Sequence, residues 1–128
     1  MKLINPSSCV SLQVARKNFA RWADAAEGNV SYTGVGFKPK MIYIMACIDG
    51  ENAVSHGFSV AEGEDVCLYY AVGDTAWYFG DEIITNVNID WNGATGRLVT
   101  FDSDGFTLAW TKLGAWHVMI NAYALCIG

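Results

Sequence analysis

The sequence predicts an all-β protein, an antiparallel β-sandwich or jelly-roll-like fold, with a short N-terminal helix or arm. Three observations carry that prediction. Val99 to Trp110 contains two alternating apolar/polar runs around Asp102-Ser103-Asp104-Gly105, and Asp-Gly is a turn dipeptide because both residues tolerate positive φ. The same grammar of short runs and Gly/Asp/Asn turns recurs along most of the chain. Five Trp, six Tyr and six Phe in 128 residues suit a pleated surface, on which large flat side chains pack well.

Along the chain, Pro6, Ser7 and Ser8 break any regular pattern, and Ser11 is placed to cap a helix. Leu12, Ala15, Phe19, Trp22, Ala23 and Ala26 recur at helical spacing, which predicts a helix over 12–27 stopped by Gly28-Asn29. Residues 1–28 are therefore expected to form an N-terminal arm or helix, and 29–128 the sandwich. Val30 to Thr33 reads as a strand leading into a bend at Gly34-Val35-Gly36, and Lys38-Pro39-Lys40 as a turn. The eight apolar residues Met41 to Ile48 predict a strand buried on both faces. Further strands are expected at 54–60, 65–72, 75–79, 82–91, 96–102, 105–111 and 116–126, separated by turns such as Glu62-Gly63-Glu64 and Asn92-Gly93.

Composition narrows the function. With 52% hydrophobic and 16% charged residues, the chain has the material for one packed domain and not for a disordered one. The run 41–48 is too short to cross a bilayer as a helix, and Met1 to Pro6 lack the apolar core of a secretory signal. No membrane partner is expected. A reducing cytosolic setting follows, with Cys47, Cys67 and Cys126 as small buried hydrophobes. Charge is unevenly placed. Residues 1–40 hold six of the eight Lys/Arg against two acids, whereas 41–128 hold two against eleven. The acidic body disfavours nucleic acid, and the basic leading segment suits docking on an acidic surface, a neighbouring copy included.

No arrangement of reactive groups stands out, so a non-enzymatic protein with no cofactor and no metal is expected. His56 and His117 have no HxH or HxxxH spacing. Cys67 with His56, or Cys47 with His117, would make a nucleophile and base only if folding joined them. Asp102-Ser103-Asp104-Gly105 imitates the start of a calcium loop but lacks the later Glu. Glu62, Glu64, Asp65, Asp81 and Glu82 read as solvated turn acids. Trp77-Tyr78-Phe79 and Trp91-Asn92-Gly93 put aromatics beside turns, suited to core or subunit packing, or to stacking on sugar rings.

Three segments carry a resemblance: Tyr32-Thr33-Gly34-Val35-Gly36-Phe37-Lys38-Pro39-Lys40, His56-Gly57-Phe58-Ser59, and Thr100-Phe101-Asp102-Ser103-Asp104-Gly105-Phe106-Thr107-Leu108-Ala109-Trp110. Together they resemble small tailed-bacteriophage virion structural proteins with a TGxGFxPK strand and turn and a TxFDSDGFTLxW hairpin. The likeness spans about residues 30–126. The hairpin and aromatic pattern is also distantly similar to H-type lectin domains, which are small trimeric β-sandwiches, without a sugar-site signature that matches residue by residue. The resemblance implies a virion protein made in the host cytoplasm, a homotrimer that contacts the major capsid protein or another virion protein. Its short length favours a capsid decoration, or cement, protein. Arg16, Lys17, Arg21, Lys38 and Lys40 would then touch the shell or a neighbouring subunit, with Phe19 and Trp22 as buried anchors. The alternative is a tail-fibre or receptor-binding module for host carbohydrate, with Trp77, Trp91 and Asn92 at the sugar.

Overall fold

The computed structural model describes residues 12–128. They form ten strands: β1 (Val14–Trp22), β2 (Gly28–Thr33), β3 (Met41–Ile48), β4 (Val54–Ser59), β5 (Val66–Tyr70), β6 (Trp77–Gly80), β7 (Ile84–Val87), β8 (Gly93–Asp102), β9 (Gly105–Leu113) and β10 (Met119–Ile127). These make an antiparallel two-sheet sandwich. A six-stranded sheet runs β1-β10-β3-β4-β5-β6, and a four-stranded sheet runs β2-β9-β8-β7. No described residue is helical.

Phe106, Leu98, Leu108, Ile84 and Trp110 of the smaller sheet meet Ile42, Ile44, Ile48, Ile120 and Ala124 of the larger one, all 3% exposed or less. β7 is an edge strand in its own sheet but is buried along its whole length, because it lies beneath β3, β4 and β5. Its Thr85 amide donates to Ser55 Oγ at 3.3 Å, so the larger sheet's side chain takes up an edge donor that would otherwise be left bare in the core. Gly57 makes this approach possible. A Cβ there would stand 1.8 Å from the Ile83 carbonyl oxygen.

Four expectations are corrected. Residues 14–22 form β1, paired along its length with β10, instead of the helix expected over 12–27. That strand belongs to the sandwich; the first eleven residues of the expected arm lie outside the described residues. The reason is tertiary: Phe19 packs between Tyr32 and Trp110, with ring centroids at 4.1 and 6.5 Å, while Arg21 lays its guanidinium over the Trp110 ring at 5.1 Å. Long cationic side chains thus cover the apolar interior with their stems and hide the strand's alternation. Second, β3 buries Ile42, Ile44, Ala46 and Ile48 but leaves Met45 and Cys47 exposed, with Met41 and Tyr43 half-buried, so only one of its faces is covered. Third, Cys47 lies on that open side, while Cys67 and Cys126 are buried as expected. Fourth, the hairpin over 99–110 is present, but neither Ser103 nor Asp104 of its turn has positive φ. The glycine requirement falls on Gly105, at φ +158°, where a Cβ would meet the Tyr32 carbonyl oxygen at 1.8 Å.

Candidate functional site

Because strand side chains alternate, the register fixes what the outer face of the six-stranded sheet presents. The middle row crosses all six strands as Asn18, Tyr123, Met45, His56, Leu68 and Phe79. On one side of it run Arg16, Leu125, Tyr43, Phe58 and Val66. On the other run Ala20, Asn121, Cys47, Val54, Tyr70 and Trp77. Arg16 is the one charged residue in the three rows, and its guanidinium rests 5.8 Å from the centroid of the Tyr123 ring. Tyr123, Met45, Phe58 and Phe79 are 47%, 45%, 45% and 80% exposed.

Strands about 4.8 Å apart and outward residues about 6.8 Å apart give three rows on six strands a flat footprint of roughly 600 Å2. Thirteen of its seventeen side chains are aliphatic, sulfur-bearing, Phe, Tyr or Trp, the others being Arg16, Asn18, His56 and Asn121, so the apolar part falls within the roughly 300–600 Å2 of the largest patch on a typical monomer. The composition is rich in aromatic side chains, includes Met45 and Cys47, and is poor in charge, as the cores of interfaces are.

The sequence-predicted residues are divided by this geometry. Arg16 and Trp22 lie on the outer parity of β1. Trp22 stacks on His117 at 4.0 Å, and His117 Nδ1 is 2.9 Å from Asp24 Oδ1. Lys17, Phe19 and Arg21 take the opposite parity. Phe19 is spent on the protein's own core, which removes it as a docking anchor. Lys38 and Lys40 are exposed on the connection to β3. Trp77 stands on the outer face, at the end of a row, while Trp91 and Asn92 sit in the β7–β8 loop; the three do not form one sugar site.

The two motifs at either end of the resemblance meet in space. Asp104 Oδ2 accepts from the Gly34 amide at 3.0 Å and Oδ1 from the Gly36 amide at 2.6 Å. The Val35 amide donates to the Asp104 carbonyl at 3.1 Å. These bonds hold the Asp104 carboxyl below its usual range. Asp102 is lowered likewise by the Thr100 and Thr107 hydroxyls, the latter at 2.7 Å. Both carboxylates are therefore engaged within the fold, which explains the calcium-like spacing without calcium. Among the described residues no cluster of three His, Cys, Asp or Glu is placed to hold a metal. His56 faces outward and bonds Tyr43 at 2.6 Å, whereas Cys67 is buried on the inward parity, so folding does not make that pair.

No family model matches this chain, and no curated protein or solved structure does either.

One further feature had no signal in the sequence. Trp91 sits at φ +58°, the only non-glycine residue with positive φ among those described. Such a conformation costs on the order of 1 kcal/mol or more for a bulky residue. The loop around it is firmly tied: Asn88 Oδ1 accepts from the Asp90 and Asn92 amides at 2.9 and 3.0 Å, and the Trp91 amide donates to the Asn88 carbonyl. The indole, 55% exposed, walls a cleft of about 250 Å3 shared with Tyr69, Tyr78, Asp74 and Asn88.

Proposed function

We propose that this protein is a structural component of a tailed-bacteriophage particle, a capsid decoration (cement) protein that works by docking and not by catalysis. The observation that carries the reading is the outer face of the six-stranded sheet: about 600 Å2 of mainly aromatic and aliphatic side chains, with Asn18, His56 and Asn121 as its neutral polar members and Arg16 as its single charge. In a cyclic trimer the contact is head-to-tail, so this face is covered by an equal area of a different surface of the next subunit; that removes about 1,200 Å2 in total from water, the lower bound of a stable specific interface. A homotrimer that buries this face between its own subunits leaves the exposed cations Lys38 and Lys40 to meet the major capsid protein. The TGxGFxPK turn, anchored by Asp104, supports the reading as a rigid presentation of those two lysines. Small gains at many identical sites add up around a shell.

Two measurements test it. Light scattering on the purified protein is expected to give a trimer, and Phe58→Glu with Tyr123→Glu to give a folded monomer. Sedimentation with undecorated capsids is expected to recover the protein with the shells at micromolar concentration, and the Lys38→Glu, Lys40→Glu variant to stay in solution. A monomeric wild type that ignores the shells would sink the proposal.

A further inference from the structure

We propose that the cleft between β5, β6 and the loop 88–92 binds one pyranose ring of a neutral sugar, with Trp91 as the stacking platform and Asp74 as the hydroxyl acceptor. The inference does not depend on where in a particle the protein sits, since it uses a surface apart from the outer sheet face.

The shape comes first. The cleft is about 250 Å3, below the roughly 300–1,000 Å3 of pockets for drug-sized ligands, which suits one ring and not a chain. Three aromatic side chains, Tyr69, Tyr78 and Trp91, border it. Tyr69 meets Trp91 edge-on at 6.2 Å and lies tilted to Tyr78 at 5.8 Å; being buried, Tyr69 is the floor, and Tyr78 and Trp91, 44% and 55% exposed, are the walls. Aromatic faces pack against the C–H face of a sugar ring, and the ring hydroxyls then need polar partners around the rim.

Those partners are present and held in place. The Asp74 carbonyl accepts from the Tyr70 hydroxyl. Its Oδ1 accepts from the Thr75 amide at 2.7 Å and the Tyr78 hydroxyl at 3.4 Å. The carboxylate is thus fixed through one oxygen, with Oδ2 left for a ligand. Asn88 has its Oδ1 committed to the loop, which leaves its amide nitrogen as a donor. Among the described residues Asp74 is the only charged one lining the cleft, and Asp81 and Glu82 border the next one along Trp91. An anionic sugar is therefore disfavoured.

The backbone adds an independent argument. A position at φ +58° favours Gly or Asn, yet it holds the largest side chain. A strained residue fixed by its surroundings is a mark of a site where side-chain placement matters more than local stability.

The test uses the full-length protein and methyl glycosides of glucose, galactose, mannose, N-acetylglucosamine and rhamnose, followed by saturation-transfer NMR. At least one is expected to bind with a Kd on the order of 1 mM, as its atom count allows. Trp91→Asn, which suits the backbone, is expected to weaken that binding at least tenfold (an estimate from the loss of a stacking anchor) while Tm stays level or rises. Tyr78→Ala supplies a second variant from the opposite wall and is expected to weaken it as well. Trp77→Ala, on the outer sheet face, is expected to bind as wild type does. The proposal is overturned if none of the five glycosides binds, or if both cleft variants bind like the wild type.

Discussion

The two faces of the six-stranded sheet are made by the same strands but from different side chains. Inward, β3 and β10 present Ile42, Ile44, Ala46, Ile120, Ala122 and Ala124, which are small or branched and have few rotamers. Outward, the same strands present Met41, Tyr43, Met45, Cys47, Met119, Asn121, Tyr123, Leu125 and Ile127. Branched aliphatics fill a fixed interior, whereas Met and Tyr adapt to a second surface. The difference teaches that apolar content alone does not mark a sheet face as interior: side-chain type separates the face packed within the fold from the face left open.

The sharpest way to break the comparison is at Gly57 and its neighbour Phe58. Gly57→Ala pushes a methyl group into the Ile83 backbone, which cannot yield as a side chain would. It is expected to cost about 3 kcal/mol or more in urea unfolding. Phe58→Ala, one residue away on the outer face, is expected to change monomer stability by less than about 0.5 kcal/mol. Next come Ile44→Ala and Met45→Ala. The first empties a fully buried site and is expected to cost roughly 3 kcal/mol, while the second should be near neutral. Equal costs within either pair, measured on the monomer, would mean that both faces are covered in the same way.

These pairs also show what was legible in the sequence. The hairpin 99–110 was readable because alternation and turn chemistry agree there within a dozen residues. Strand β3 was readable as a strand, but not as one-sided, since Met41 to Ile48 is apolar at both parities and hydrophobicity alone does not say what lies above a sheet. Strand β1 was misread as a helix because Lys17 and Arg21 occupy the inward positions, leaving Ala15, Phe19 and Trp22 to mimic helical spacing. The bonds from Asp104 to Gly34 and Gly36 join residues about seventy apart and had no local signal. Nor did the φ of Trp91, at a loop position where the sequence shows only an aromatic beside Asn-Gly.

A smaller effect separates the turn-bound carboxylates from both faces. Asp102 and Asp104 have folded-state values below the ordinary carboxylate range. Their contribution is thus present above the unfolded value near 3.9 and is lost as pH falls through the lowered folded values. Asp104→Ala is expected to lower Tm by a few degrees at neutral pH and to converge with wild type in strong acid, as followed by circular dichroism. An offset that stays constant down to the lowest pH would assign the loss to packing and not to the carboxylate.

The mildest probe leaves stability untouched and reads the faces through their thiols. Cys126, deep between the sheets, is pushed up to about 11 by burial, and Cys67 is raised for the same reason, so neither holds appreciable thiolate near pH 8. Cys47 is exposed in the outer row beside Asn121 and Val54. In a Cys9→Ser background, which removes the fourth cysteine of the sequence, a maleimide added to the folded monomer is expected to modify Cys47 rapidly and the other two only on unfolding. If the outer face is the surface that assembly covers, Cys47 should become slow to label in the oligomer and fast again in the Phe58→Glu, Tyr123→Glu protein. Rapid labelling in a protein shown to be oligomeric would place the subunit contact elsewhere and return the outer face to solvent.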